Sequence, residues 1–229
     1  YLSLANNTVG QSNTAIGYGA LFSNTGGLAN VALGETALFS NTSGHYNVAL
    51  GINNLYSNTT WSGNVAVGFN TLYSNTLGLY NTAVGFNAAR FNTIGYMNTA
   101  VGQGTLYLNQ SGSMNTVIGG SALANNTAWS GNTALWASAL RVNSLGDYNT
   151  AVGLAALENS TLWEENVAVG QSALAFNTIG SGNVAIGTQA LYLSTGAHYQ
   201  TAIGYQALRS NTFGSENVAV GAEALEFNT

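Results

Sequence analysis

The sequence predicts an all-β fold, a parallel β-solenoid (β-roll) of about 13 coils of 17 residues with two short strands per coil. Three observations predict it. The motif Asn-(Thr/Val)-Ala-(Val/Ile/Leu)-Gly begins at Asn13, Asn30, Asn47, Asn64, Asn81, Asn98 and Asn115, and again at Asn132, Asn149, Asn166, Asn183, Gln200 and Asn217. Every interval is 17 residues, without insertion or deletion. Seventeen residues are too few for a helix-turn-helix repeat, whose period is about 33 or more, and the Gly and β-branched content opposes helix.

Positions are numbered here from the motif Asn, giving the consensus N-T/V-A-V/I-G-x-x-A-L-x-x-N-T-x-G-x-x. Positions 1–5 alternate, with Thr/Val and Val/Ile/Leu at 2 and 4 on one side and Asn, Ala and Gly on the other, as a strand requires. Positions 8–12 read as the second strand, with Leu at position 9 (Leu4, Leu21, Leu38, Leu55 and onward) replaced only by Ala89. Gly at position 5 (Gly17, Gly34, Gly51) and position 15 (Gly27, Gly44, Gly78) suits corners with φ > 0. Trp136 stands at position 5, and Trp61, Trp129 and Trp163 stand at position 15, which predicts altered corners in those coils. Asn recurs at positions 1 and 12, which reads either as amide ladders built by stacking in register at about 4.8 Å or as the ordinary preference of Asn for turns.

Charge is scarce, at 5% of residues, and its placement is ordered. Arg90, Arg141 and Arg209 all fall at position 10. Glu35, Asp147, Glu158, Glu164, Glu165, Glu216, Glu223 and Glu226 fall at 6, 7, 10, 16 or 17, and His45 and His198 at 16. Because an unpaired buried charge is costly, positions 1–5, 8, 9 and 11–15 are expected inside or closely covered. The solvent face is then 6–7, 10 and 16–17. Ala at position 3, replaced once by Val117, and Ala at position 8 are expected to point away from the Val/Ile and Leu face. A small residue kept on an outward face coil after coil implies either a second surface approaching closely, the favoured reading, or a narrow turn within the chain itself.

Composition excludes several functions. Three Arg and no Lys cannot follow a phosphate track, so no nucleic-acid partner is expected. Without Cys there is neither a disulfide framework nor a thiolate zinc site. No apolar run of about 18 residues exists for membrane insertion. His45 and His198 lie nine coils apart, Glu164 and Glu165 read as a solvated acidic corner near Glu158, and no catalytic constellation forms. No enzyme activity, cofactor or metal is expected. Phe22, Phe39, Tyr56, Tyr73, Tyr107 and Tyr192 share position 10 and form a candidate surface-contact ridge, with stacking on sugars and simple cross-coil stacking both open. Asn-x-Ser/Thr acceptors for N-glycosylation occur at Asn6, Asn41, Asn58, Asn109, Asn125 and Asn159, all at positions 11 or 12 where Asn-Thr is part of the repeat.

The segments NTAIGYGALFSNT (13–25), NVAVGFNTLYSNT (64–76) and NVAIGTQALYLST (183–195) resemble the head repeats of trimeric autotransporter adhesins, the YadA-like group, and related repeats of viral and phage fibres. The resemblance covers the whole chain, although this coil is longer than the usual head repeat and no neck, stalk or anchor accompanies it. It implies a left-handed, trimeric β-roll displayed outside the cell or on its surface, with adhesion to glycans or a host surface. Residues 1–229 are expected to be one continuous array, about 60–65 Å of rod at about 4.8 Å per coil, and a segment of a longer self-associating fibre, homotrimer or filament. The alternative functions are an ice-binding solenoid, suggested by Thr8, Thr25, Thr42 and Thr59 at position 13, and third a viral or phage tail-fibre shaft.

Overall fold

A computed structural model describes residues 1–161 and 164–228; Trp163, one of the substituted corners, lies outside the described residues. Backbone packing divides the chain into two compact units, Tyr1–Met114 and Asn115–Thr229. The first contains β1 (Thr14–Ile16), β2 (Val31–Leu33), β3 (Val48–Leu50), β4 (Val65–Val67), β5 (Thr82–Val84) and β6 (Thr99–Val101). The second contains β7 (Thr116–Ile118), β8 (Thr133–Leu135), β9 (Thr150–Val152), β10 (Val167–Val169), β11 (Val184–Ile186), β12 (Thr201–Ile203) and β13 (Val218–Val220). Within each unit successive strands pair in parallel, residue i opposite residue i+17: Ala32 opposite Ala49 and Ala66 opposite Ala83 in the first, Ala151 opposite Ala168 and Ala185 opposite Ala202 in the second. Each unit is therefore a parallel β-solenoid, and no helix occurs among the described residues.

Each coil carries one strand, not the expected two. Positions 2–4 are the strand; positions 8–12 are a run of turns. The reason is the left-handed backbone at positions 7 and 9, as in Asn53 (φ 58) and Leu55 (φ 52). Single left-handed residues break the extended chain, and in Leu they are unusual. The inter-coil bonding persists regardless. In the first unit Leu38 N–H reaches the Asn54 carbonyl at 3.0 Å and Ser40 N–H the Tyr56 carbonyl at 3.1 Å, while Asn41 N–H closes a turn onto Leu38 at 3.1 Å. The 8–12 segment thus satisfies its backbone groups between coils without adopting strand geometry.

The direction of the side chains reverses the expectation. Ala at positions 3 and 8 points into the coil with Leu at 9: Ala32, Ala37, Leu38, Ala49 and Leu55 are completely buried, as are Ala151, Ala156 and Leu157 in the second unit. The alternation of the strand then turns positions 2 and 4 outward, where the burial pattern is half-buried, buried, half-buried in most coils. Ala is small because the coil interior is narrow. The absence of charge at 2 and 4 does not reflect burial within the chain, so the exclusion of charge misassigned those two columns to the covered set, and position 14 with them, where Leu77, Ile94 and Phe213 are exposed.

Glycine has separate reasons at its two positions. Gly34 at position 5 has φ 140, and a Cβ there would stand 2.3 Å from the Gly51 carbonyl oxygen. Gly44 at position 15 lies outside the left-handed region, contrary to expectation. It is glycine for space, since a Cβ would meet Asn41 Oδ1 at 2.4 Å and the carbonyl oxygen of Trp61 at 2.6 Å.

Candidate functional site

The inner polar columns are built first, because they hold the outer ones in place. At position 1, Asn47 Oδ1 accepts the backbone N–H of Asn64 at 3.0 Å and its Nδ2 at 3.3 Å. At position 12, Nδ2 of each Asn donates to Oδ1 of the one before: Asn24 to Asn7 at 2.7 Å, Asn41 to Asn24 at 3.0 Å, Asn58 to Asn41 at 2.9 Å and Asn75 to Asn58 at 3.1 Å. Both columns also converge on the carbonyl of position 15 in their own coil. Gly44 O receives Asn30 Nδ2 at 2.8 Å and Asn41 Nδ2 at 3.1 Å. The amides therefore close the coil laterally and tie it to its neighbours axially, each pairing the buried amide groups of the next in these coils. The tryptophan corners keep this role: the Trp61 carbonyl accepts Asn47 and Asn58, both at 3.0 Å, and that of Trp129 accepts Asn115 and Asn126, both at 3.0 Å. Trp136 keeps a positive φ of 103 at position 5. The Trp61 and Trp129 corners thus keep the carbonyl acceptor of position 15, and the Trp136 corner keeps the positive φ of position 5.

The outer columns carry whatever function the surface has. Phe22, Phe39, Tyr56 and Tyr73 form one parallel stack, with centroids 5.1, 5.3 and 5.1 Å apart and planes within 10°. The faces of the inner rings are thereby covered by one another, and the stack presents edges outward. Of the two readings of the ridge, cross-coil stacking describes these four. Tyr107 and Tyr192 behave differently. Each meets edge-to-face a phenylalanine at position 11 of the preceding coil, Phe91 with Tyr107 at 5.1 Å and 85°, and Phe176 with Tyr192 at 5.1 Å and 88°. Neither Phe91 nor Phe176 stood out in the sequence; the signal available was that Phe91 ends a run of four Ser at position 11, whereas Phe176 stands between Asn159 and Leu193.

The glycosylation acceptors separate by burial. Asn6 and Asn125 are exposed and Asn159 is half-buried, whereas Asn41, Asn58 and Asn109 are completely buried. Nδ2 of the last three is already committed to the position-12 ladder, as in Asn109 to Asn92 at 2.6 Å. The position-13 hydroxyls run along the coils: Thr25, Thr42 and Thr76 each donate to the carbonyl one coil on, at 3.2, 3.2 and 3.1 Å. A hydroxyl proton so engaged is withdrawn from a lattice of external water.

Position 16 supplies a further column. His45 Nδ1 accepts the Leu28 N–H at 2.9 Å, and Asp147 accepts that of Ser130 at 2.5 Å. Glu165 donates its backbone N–H to the Asp147 carbonyl at 3.3 Å. Among the described residues one ion pair occurs, Arg141 Nε to Glu158 Oε1 at 2.9 Å, between half-exposed side chains one coil apart. No group of three or more His, Cys, Asp or Glu is placed to hold a metal among the described residues, and no described helix is long and apolar enough to cross a membrane.

These features define a parallel β-solenoid repeat protein with an amide-laddered interior. Comparison with protein-family models, with curated proteins and with solved structures finds no match.

Proposed function

We propose that this chain is the repetitive segment of an extracellular structural or adhesive fibre, whose copies associate through the outward face of the sheet. One observation carries the reading: positions 2 and 4 hold only Thr, Val, Ile and Leu in all thirteen repeats, and these side chains face solvent in the single chain. Ile186 is 39% exposed and Ile203 38%. An exposed sheet face that carries no charge, with position 4 apolar in every repeat, marks an interaction site. A second copy fits such a surface better than a foreign partner. Its side chains recur at the same coil spacing, so contacts stay in register from one coil to the next instead of drifting out of step. The homotrimer implied by the resemblance to adhesin head repeats is one closed arrangement of this kind, and a filament is the open one.

The test is the mass of the native particle by light scattering coupled to size exclusion. The 229-residue chain is expected to run as a multimer. Val67→Lys together with Val84→Lys should release monomers that keep the circular dichroism of the parent, because both positions face outward. A parent chain that is monomeric at high concentration overturns the reading.

A further inference from the structure

Position 11 is serine in four successive coils, Ser23, Ser40, Ser57 and Ser74, and then becomes Phe91 and Leu108. At that change a groove opens, lined by Ser74, Phe91, Thr93, Leu108 and Gln110. Its wall is the Phe91 ring, which meets Tyr107 edge-to-face at 5.1 Å, and Arg90 stands beside this lining and not in it. The guanidinium of Arg90 lies 5.2 Å from the Phe91 centroid and 5.8 Å from that of Tyr73. Arg90 has no carboxylate within ion-pair distance among the described residues, and its Nε is buried without an acceptor. Arg141, in the same column, shows what the fold does when it satisfies an arginine: Glu158 stands one coil on, 2.9 Å away. Leaving a charged donor unmatched is costly, and cation–π contact with two rings does not supply an acceptor.

The second unit repeats the rings but not the placement of the arginine, since Ala175 stands beside Phe176 where Arg90 stands beside Phe91, and Arg209 lies one coil beyond Tyr192. Phe176 at position 11 is followed one coil later by Tyr192 and Leu193, as Phe91 is by Tyr107 and Leu108. Arg209 sits 5.5 Å from the Tyr192 centroid, again with a buried Nε lacking an acceptor.

We infer that the groove at Phe91 binds a carboxylated saccharide, with the apolar face of a sugar ring on Phe91, its hydroxyls toward Ser74 and Gln110, and its carboxylate on Arg90. Aromatic rings take the C–H face of a sugar, and a guanidinium takes a carboxylate through paired charge-assisted bonds. The inference deepens the adhesive half of the proposed function and rests on it.

Neighbouring coils provide substitutions that the fold already accepts. Arg90→Tyr installs the residue of Tyr73 and Tyr107, and Phe91→Ser that of Ser74. Isothermal titration of the native chain with sialyllactose and with neutral lactose is the experiment. Sialyllactose is expected to bind about tenfold or more tighter than lactose, since only it offers a carboxylate to Arg90. Arg90→Tyr should bring it down to the lactose level, and Phe91→Ser should weaken both sugars. Equal affinity for the two, an unchanged affinity in Arg90→Tyr, or no binding by the parent each overturns the assignment. Light scattering on the same samples reports association separately. A chain that binds but stays monomeric therefore removes the fibre and keeps this site, and one that assembles but does not bind does the reverse.

Discussion

The two units share one coil and differ in how completely they obey it. In Tyr1–Met114 the position-12 ladder runs unbroken through seven asparagines, Asn7 to Asn109. In Asn115–Thr229 it meets Ser160 and Ser194, whose hydroxyls are buried without partners, and the position-1 column meets Gln200, whose side-chain oxygen and nitrogen are both buried and unmatched. Charge divides as sharply. The first unit has Glu35 and Arg90, which sum to zero; the second has seven acids against Arg141 and Arg209, which sum to −5 and account for the whole net charge. Position 10 follows suit, a ring stack in the first unit and an Arg–Glu pair in the second. The difference teaches that an outer column such as position 10 takes aromatic, basic and acidic side chains alike, whereas an inner column loses a hydrogen bond with each departure and cannot turn to water for a replacement. The first unit is therefore expected to be the more stable, with the second opening first.

The largest effect expected does not distinguish the units, and so tests whether they share a core. Leu72→Ala and Leu174→Ala each delete a completely buried side chain and should cost about 3 kcal/mol or more, by lost transfer energy and cavity formation. Urea unfolding followed by circular dichroism measures it, and a much smaller loss in one unit would mean that its coil is already loose. Next comes the ladder itself. Asn75→Ser removes the donations to Asn58 and Gly78 and the acceptor of Asn92, a loss of about 2–3 kcal/mol. Trp61 is the single tryptophan of the first unit, so its fluorescence should report a lowered midpoint, bringing that unit toward the second.

The converse repair is smaller. Gln200→Asn restores the side chain that twelve other repeats carry, removes one methylene, and lets Asn183 and Asn217 complete their column. It should raise the stability of the second unit by about 1–2 kcal/mol, seen as slower amide exchange around Val184–Ile186 and Thr201–Ile203. Loss of stability would show that the unmatched amide is satisfied by other means. Smallest of all is Glu158→Gln. The pair with Arg141 is half-exposed, so its removal should cost under about 1 kcal/mol and less in high salt. A larger penalty would place position 10 among the inner columns.

Much of this was legible because a 17-residue repeat tests itself. Recurrence at fixed spacing required parallel, in-register coils, and Asn at positions 1 and 12 required amide columns once the coils stacked. Strict alternation over positions 1–5 showed that Ala at 3 and Val/Ile at 2 and 4 face opposite ways. It did not show which way is in. Hydrophobicity pointed to Val and Ile, but the place beside Leu at 9 is taken by Ala, and once by Val117, all completely or almost completely buried except at the first coil. Positions 8–12 misled for a related reason: their apolar pattern is that of a strand, while left-handed φ at Leu55 and its equivalents, which leucine rarely adopts, is imposed by the coil's closure.

Period, strand position, the inner amides and the scarcity of charge are thus properties of the sequence alone, since each repeats where any stacked arrangement must repeat it. Which face became the core, which rings lie flat and which meet edge-on, and which arginines lack an acceptor were decided only in three dimensions. Those outcomes depend on the width of the coil and on the residue one coil away, 17 positions distant in the chain, where local sequence preference has no purchase.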